Sequence, residues 1–234
     1  MKSTKVKLDK FEKTFTALFF VIVIIELFSS TLSALSSFHN IAKPLILTSL
    51  ILFFYLRSNH LMLKTRRLML LALSFSLIGD VLIIFDDISI NYFLAGLVSF
   101  LLAHIMYIFV FLEKRNNSIK PIAYVTILLV YVFGLFYLLK DGLENMLIPV
   151  IIYIVAILTM AITTSLRKGN VPSLSYNLVL VGTLLFVISD SFIALNKFYT
   201  SVPNEHLIIM STYALAQYCI VIGVLKQKNK PFLF

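Results

Sequence analysis

Three carboxylates stand among residues that otherwise suit a lipid-facing helix: Glu26 in VIVIIELFSS, Asp80 in SLIGDVLIIF and Asp190 in FVISDSFIAL. A charged side chain at the centre of a bilayer costs about 2.5–3.5 kcal/mol on insertion scales, so such a group turns toward the protein interior and needs partners there. Proton transfer is the chemistry that buried carboxylates offer. Polar groups at helical spacing could serve them: His104 and Tyr107 are three residues apart and Tyr213 and Gln217 four apart, so each pair shares a helix face. Lys43 directly precedes Pro44, and its ammonium can snorkel outward or swing toward the carboxylates.

The elements that must carry these groups follow from hydropathy. Of 234 residues, 60% are hydrophobic and 13% charged, and apolar runs of about 20 residues, the length of one crossing, recur along the chain. The expected fold is all-α, a polytopic membrane bundle of eight transmembrane helices over 14–35, 41–56, 68–86, 90–112, 121–139, 147–166, 175–195 and 207–225. Short connections leave no room for a soluble domain, and Pro121, Pro149 and Pro172 fall at or near helix starts, where proline is tolerated. The expected organisation is a basic tail over 1–13, a single transmembrane domain over 14–226 and a short tail over 227–234. The charged stretch MKSTKVKLDKFEK, with no small-residue cleavage site after the first apolar run, reads as the flank of a retained helix. Cys219, the one cysteine, forms no disulfide within the chain.

Charge sets the expected orientation. All but Lys43, Lys140 and Lys197 of the 20 lysines and arginines fall on the side of the amino terminus, which places both termini in the cytoplasm. The same distribution beside an anionic bilayer surface accounts for the net charge of +9 without nucleic acid as a partner. Counted from the cytoplasmic ends at 1.5 Å per residue, Glu26, Asp80 and Asp190 rise roughly 18, 20 and 21 Å on helices that all run outward. His104 and Gln217, on inward-running helices, sit at about 12 Å. A polar chamber between helices is the expected arrangement. The strings FSLIGDVLIIF and LFVISDSFIAL, with aspartates 110 residues apart, also suit two four-helix halves in parallel orientation.

Several kinds of chemistry lack their residues. A zinc hydrolase needs three or four converging ligands, but His39 and His206 belong to the outer side and His60 to an inner loop, leaving His104 alone within the membrane. No GxSxG elbow or glycine-rich phosphate loop is present, so a serine esterase of that type and a nucleotide enzyme lack support. No metal or cofactor is expected. A proton-coupled transporter or lipid-binding membrane protein would use the same carboxylates, although few prolines and glycines interrupt the spans as they do in many transporters.

Five strings in order carry a family likeness: Lys43-Pro44-Leu45; Gly79-Asp80; Gly96-x-x-x-Phe100-x-x-Ala103-His104-x-x-Tyr107; Gly182-x-x-x-Phe186-x-x-Ser189-Asp190; and Tyr213-x-x-Ala216-Gln217. Together they resemble the YhhN family of membrane lysoplasmalogenases, over residues from about 41 to 225. The resemblance implies an eight-helix hydrolase that cleaves the vinyl ether of a lysophospholipid substrate, the lysoplasmalogen, to a fatty aldehyde and a glycerophospho-base. Vinyl ether hydrolysis wants one carboxylic acid to protonate carbon and one carboxylate to stabilise the cation or activate water, as in glycosidases. Asp80 and Asp190 are the expected catalytic pair. His104, Tyr107, Tyr213 and Gln217 are expected to line the chamber, Lys43 to tune a carboxylate or meet the phosphate, and Glu26, followed by Ser29 and Ser30, to support the site or simply bond the helices together.

Overall fold

The computed structural model describes residues 9–31 and 36–227, apart from the side chains of 30, 31 and 36–39. Most of the basic tail, Lys228 and Lys230, and the side chains of Ser30 and His39 therefore lie outside the described residues. Eight α-helices follow one another: α1 (Lys10–Thr31), α2 (Ser36–Arg57), α3 (Leu63–Ile83), α4 (Ile90–Leu112), α5 (Ile122–Leu139), α6 (Leu147–Ser165), α7 (Ser173–Phe198) and α8 (Glu205–Leu225). Each expected span has its helix, and no strand occurs among the described residues. Among the described residues, six of the eight are long and apolar enough to cross a membrane by themselves. The other two, α1 and α3, carry more charge: Lys10, Glu12, Lys13 and Glu26 in one, Lys64, Arg66, Arg67 and Asp80 in the other. The chain is a multi-pass integral membrane protein.

Four helices, α2, α3, α7 and α8, run longer than hydropathy suggests; in α3 and α7 the added residues include charged ones, which still form helix at a membrane rim when their side chains have partners. At the start of α3, Arg66 lies 4.7 Å over the Tyr55 ring and donates to the Tyr55 carbonyl at 3.1 Å. In the last turn of α7, Lys197 pairs with Asp86 at 3.0 Å. At the amino end, Asp9 and Glu12 form a reciprocal cap: each backbone N–H donates to the other's carboxylate, at 2.8 and 2.7 Å.

Two hairpins, α3 with α4 and α7 with α8, are pressed together at glycines. A Cβ on Gly79 would stand 2.7 Å from the Phe100 ring, and one on Gly182 would stand 2.7 Å from the Ala216 carbonyl oxygen. Such close approach is how membrane helices gain packing without a hydrophobic drive between them. It also brings the polar residues of α4 and α8 against the aspartate-bearing helices. Asp80 and Asp190 are each 17 residues past the first residue of their helix, an equal rise of about 26 Å.

The last helix, α8, is central, with twelve buried residues. By contrast α5 is peripheral: only Leu128 and Leu139 are buried, whereas Ile127, Val130 and Phe133 are about 70% exposed and form a lipid-facing surface. At the end of the bundle that holds both described chain ends, Arg167 is fully buried, 5.5 Å over the Phe111 ring, and donates to Ser175 and Gln227. Burial holds its guanidinium down at about 9.

Candidate active site

At the opposite end, a polar cavity of about 700 Å³ opens between α2, α3, α7 and α8. Asp80 and Asp190 both line it, together with Lys43, Ser189, His206 and Tyr213. Lys43 is 9% exposed, so its ammonium is retained among the helices. It comes from α2 just before Pro44, which lies inside that helix.

Each aspartate is held by a tyrosine from another helix. Tyr213 of α8 donates to Asp80 Oδ2 at 3.0 Å, and Tyr153 of α6 donates to Asp190 Oδ2 at 2.6 Å. A hydrogen bond to a charged group is worth about 1.5–3 kcal/mol, more than a neutral pair, and it also aims the carboxylate. Behind Asp190, His104 is fully buried with Nε2 3.8 Å from Asp190 Oδ2, too far for a hydrogen bond. Its ring packs edge-on against Tyr153 at 5.1 Å and Phe186 at 4.9 Å, and Phe186 in turn meets Tyr213 edge-on at 5.4 Å. An aromatic partition thus links the two aspartate–tyrosine pairs, with geometry that aromatic rings favour.

One layer deeper, Tyr107 donates to Gln217 Oε1 at 2.6 Å, and Gln217 Nε2 donates to Ser76 Oγ at 3.1 Å. This chain ties α4, α8 and α3 together. The structure therefore brings Asp80, Asp190, Lys43 and Tyr213 to the cavity wall, and sets His104, Tyr107 and Gln217 behind it. Glu26 is also behind the wall: it is fully buried and bonded at 2.8 Å to His206, which faces the cavity.

Tyr153, Ser76 and His206 are the site-forming residues that sequence reasoning missed. A tyrosine in an apolar span carries no distinctive signal when 11 tyrosines are present, and a single serine even less. His206 sits at the start of α8, where a histidine is unremarkable at a membrane rim. The clue that the sequence offers is the acid itself: Glu26, in an apolar stretch of α1, needs a partner from another helix. Among the described residues, no group of three His, Cys, Asp or Glu side chains converges as a metal site.

Two aspartates on one polar chamber, each accepting from a tyrosine of another helix, define a helical membrane protein with a carboxylate site. The YhhN family model matches residues 38–224, and the chain belongs to that family. It is 29% identical over 164 residues to lysoplasmalogenase TMEM86A of Homo sapiens, covering 68% of this chain and 65% of that protein. The bovine (Bos taurus) protein of the same name gives the same identity and coverage. Lysoplasmalogenase TMEM86B of Homo sapiens is 28% identical over 155 residues, covering 66% of this chain and 62% of that protein. The chain thus spans slightly less than two thirds of the length of these curated relatives. No solved structure matches it.

Proposed function

We propose that the chain is a membrane hydrolase of the lysoplasmalogenase type, which cleaves the vinyl ether of a lysophospholipid with Asp80 and Asp190 as its catalytic pair. The observation that carries this reading is that both aspartates border one polar cavity, each with a tyrosine donating to it. The relatives named lysoplasmalogenase support the substrate class.

A carboxylic acid delivers its proton to the vinyl carbon remote from oxygen, leaving an oxocarbenium ion that the second, ionised carboxylate stabilises. Water adds to the carbon bearing oxygen and yields its proton to a carboxylate. The resulting hemiacetal breaks its bond to the glycerol oxygen, which takes up a proton, and the products are a fatty aldehyde and a glycerophospho-base. One water is consumed. Positioned acid catalysis of this kind is worth about 10²–10⁴ in rate. Lys43, on the same wall, supplies the cation for the phosphate in this reading. With both termini cytoplasmic, the cavity opens on the outer side.

The test is aldehyde release by purified protein in detergent, from lysoplasmenyl-ethanolamine and from the acyl lysophospholipid with the same headgroup. Aldehyde from the first and no hydrolysis of the second is the expected result. No aldehyde from a folded preparation refutes the hydrolase.

A further inference from the structure

A second, apolar cleft runs beside the polar chamber, between α5, α6 and α7. Its wall includes Val132 and Leu135 of α5, Ile154 of α6, and Ala194 of α7. On α7 it extends over the twelve residues from Val187 to Phe198, a rise of about 16 Å. The two cavities meet: Ile83, Phe93, Asp190 and Ile193 line both. Asp190 is thus the carboxylate at the junction between an apolar space and a polar one, and Tyr153, its hydrogen-bond donor, also lines the cleft.

We propose that this cleft receives the hydrocarbon tail of the lysophospholipid, admitted from the bilayer between α5 and α7, while the polar chamber receives its headgroup. The proposal rests on the hydrolase reading for the identity of the lipid. A single-chain lipid has one apolar arm and one polar arm joined at the bond to be cut, and the two cavities have the same division with a carboxylate at their junction. The polar chamber carries the cations Lys43 and Lys197 and the acids Asp86, Asp87 and Glu205, complementary to a zwitterionic headgroup. The cleft encloses only about 70 Å³, so a chain enters as its wall parts. The wall suited to this is α5, the helix with the fewest buried residues. Its link to α7 is the hydrogen bond between Tyr131 and Ser191 at 2.9 Å, and both residues line the cleft. A tail so seated puts the vinyl carbon that takes the proton nearest Asp190, and makes Asp190 the acid.

Thiol protection tests the tail site without relying on catalysis. In a Cys219→Ser background, Ala194→Cys and Leu135→Cys place single thiols on opposite walls, and Ile127→Cys, at 68% exposure on the lipid-facing side of α5, serves as the control. The probe is a saturated 1-O-alkyl lysophosphoethanolamine, which has no vinyl ether to hydrolyse. At about ten times its Kd, it should slow maleimide labelling at 194 and 135 about tenfold, as occupancy dictates. Labelling at 127 should not change, nor should glycerophosphoethanolamine, which lacks the chain, slow any of the three. Unchanged labelling at both cleft positions overturns the proposal, as does equal slowing at 127 or slowing by the chainless headgroup. Protection in a protein that releases no aldehyde keeps the tail site and removes the hydrolase, so the two failures are distinct.

Discussion

Replacing Tyr153 by Phe removes one oxygen atom and leaves the ring that packs against His104. The lost atom donates to Asp190 Oδ2 at 2.6 Å. A hydrogen bond to a charged group contributes about 1.5–3 kcal/mol, which at 1.36 kcal/mol per decade is a loss of roughly 10- to 150-fold in kcat. KM should change little, because the phenol acts through the aspartate and not on the headgroup. The assay is aldehyde released per folded molecule from lysoplasmenyl-ethanolamine, with the melting temperature recorded for each variant. A double-mutant cycle sharpens it: in an Asp190→Asn background, Tyr153→Phe should cost less than about threefold, since the group it positions is already gone. Full turnover in folded Tyr153→Phe, or equal losses in both backgrounds, would refute the idea that the tyrosine works by aiming Asp190.

Other outcomes follow from the same structure. Asp80→Asn and Asp190→Asn should each lower aldehyde turnover at least about a hundredfold while keeping the fold, because the amide oxygen still accepts from Tyr213 or Tyr153. Gly182→Ala should lower the melting temperature through overpacking worth about 1–3 kcal/mol, since its Cβ meets the Ala216 carbonyl oxygen at 2.7 Å, and thermal unfolding in detergent checks this. Arg167→Leu should raise the melting temperature at pH 7. A cation whose pKa is depressed to about 9 by burial destabilises the fold while charged, so the gain should shrink as pH rises through about 9.

Hydropathy made the eight helices legible because each is close to one bilayer thickness long and the breaks between them are polar. It failed at helix ends such as Leu63–Arg67, where the limit is set by the partners of Arg66 and not by apolarity. Asp80 and Asp190 were legible because a carboxylate among Ile, Leu, Val and Phe has no bland surface role. The phenols that hold them were not: Tyr153 is amphipathic and at home in any span, so only the fold shows that it faces Asp190. The same holds for His104 and Gln217, whose helix faces could be read but whose depth behind the cavity wall depends on how α4 and α8 cross their neighbours.

The position of α8 has a consequence for how the protein is made. α8, which is synthesised after the other seven described helices, supplies His206 to Glu26 across 180 residues of sequence and Tyr213 to Asp80 across 133. It also supplies Gln217 to both Tyr107 and Ser76, and the segment just beyond it supplies Gln227 to Arg167. At synthesis rates of about 5–20 residues per second, Asp80 waits roughly 7–27 s in the nascent chain before its phenol exists. During that interval α1 and α3, the two most charged helices, hold acids without these partners in a half-assembled bundle. Chains interrupted before residue 205 should therefore be preferred targets of membrane proteases, with a shorter lifetime in a pulse-chase than the full chain. α8 supplies one wall of the chamber, so a chain interrupted before it lacks that wall.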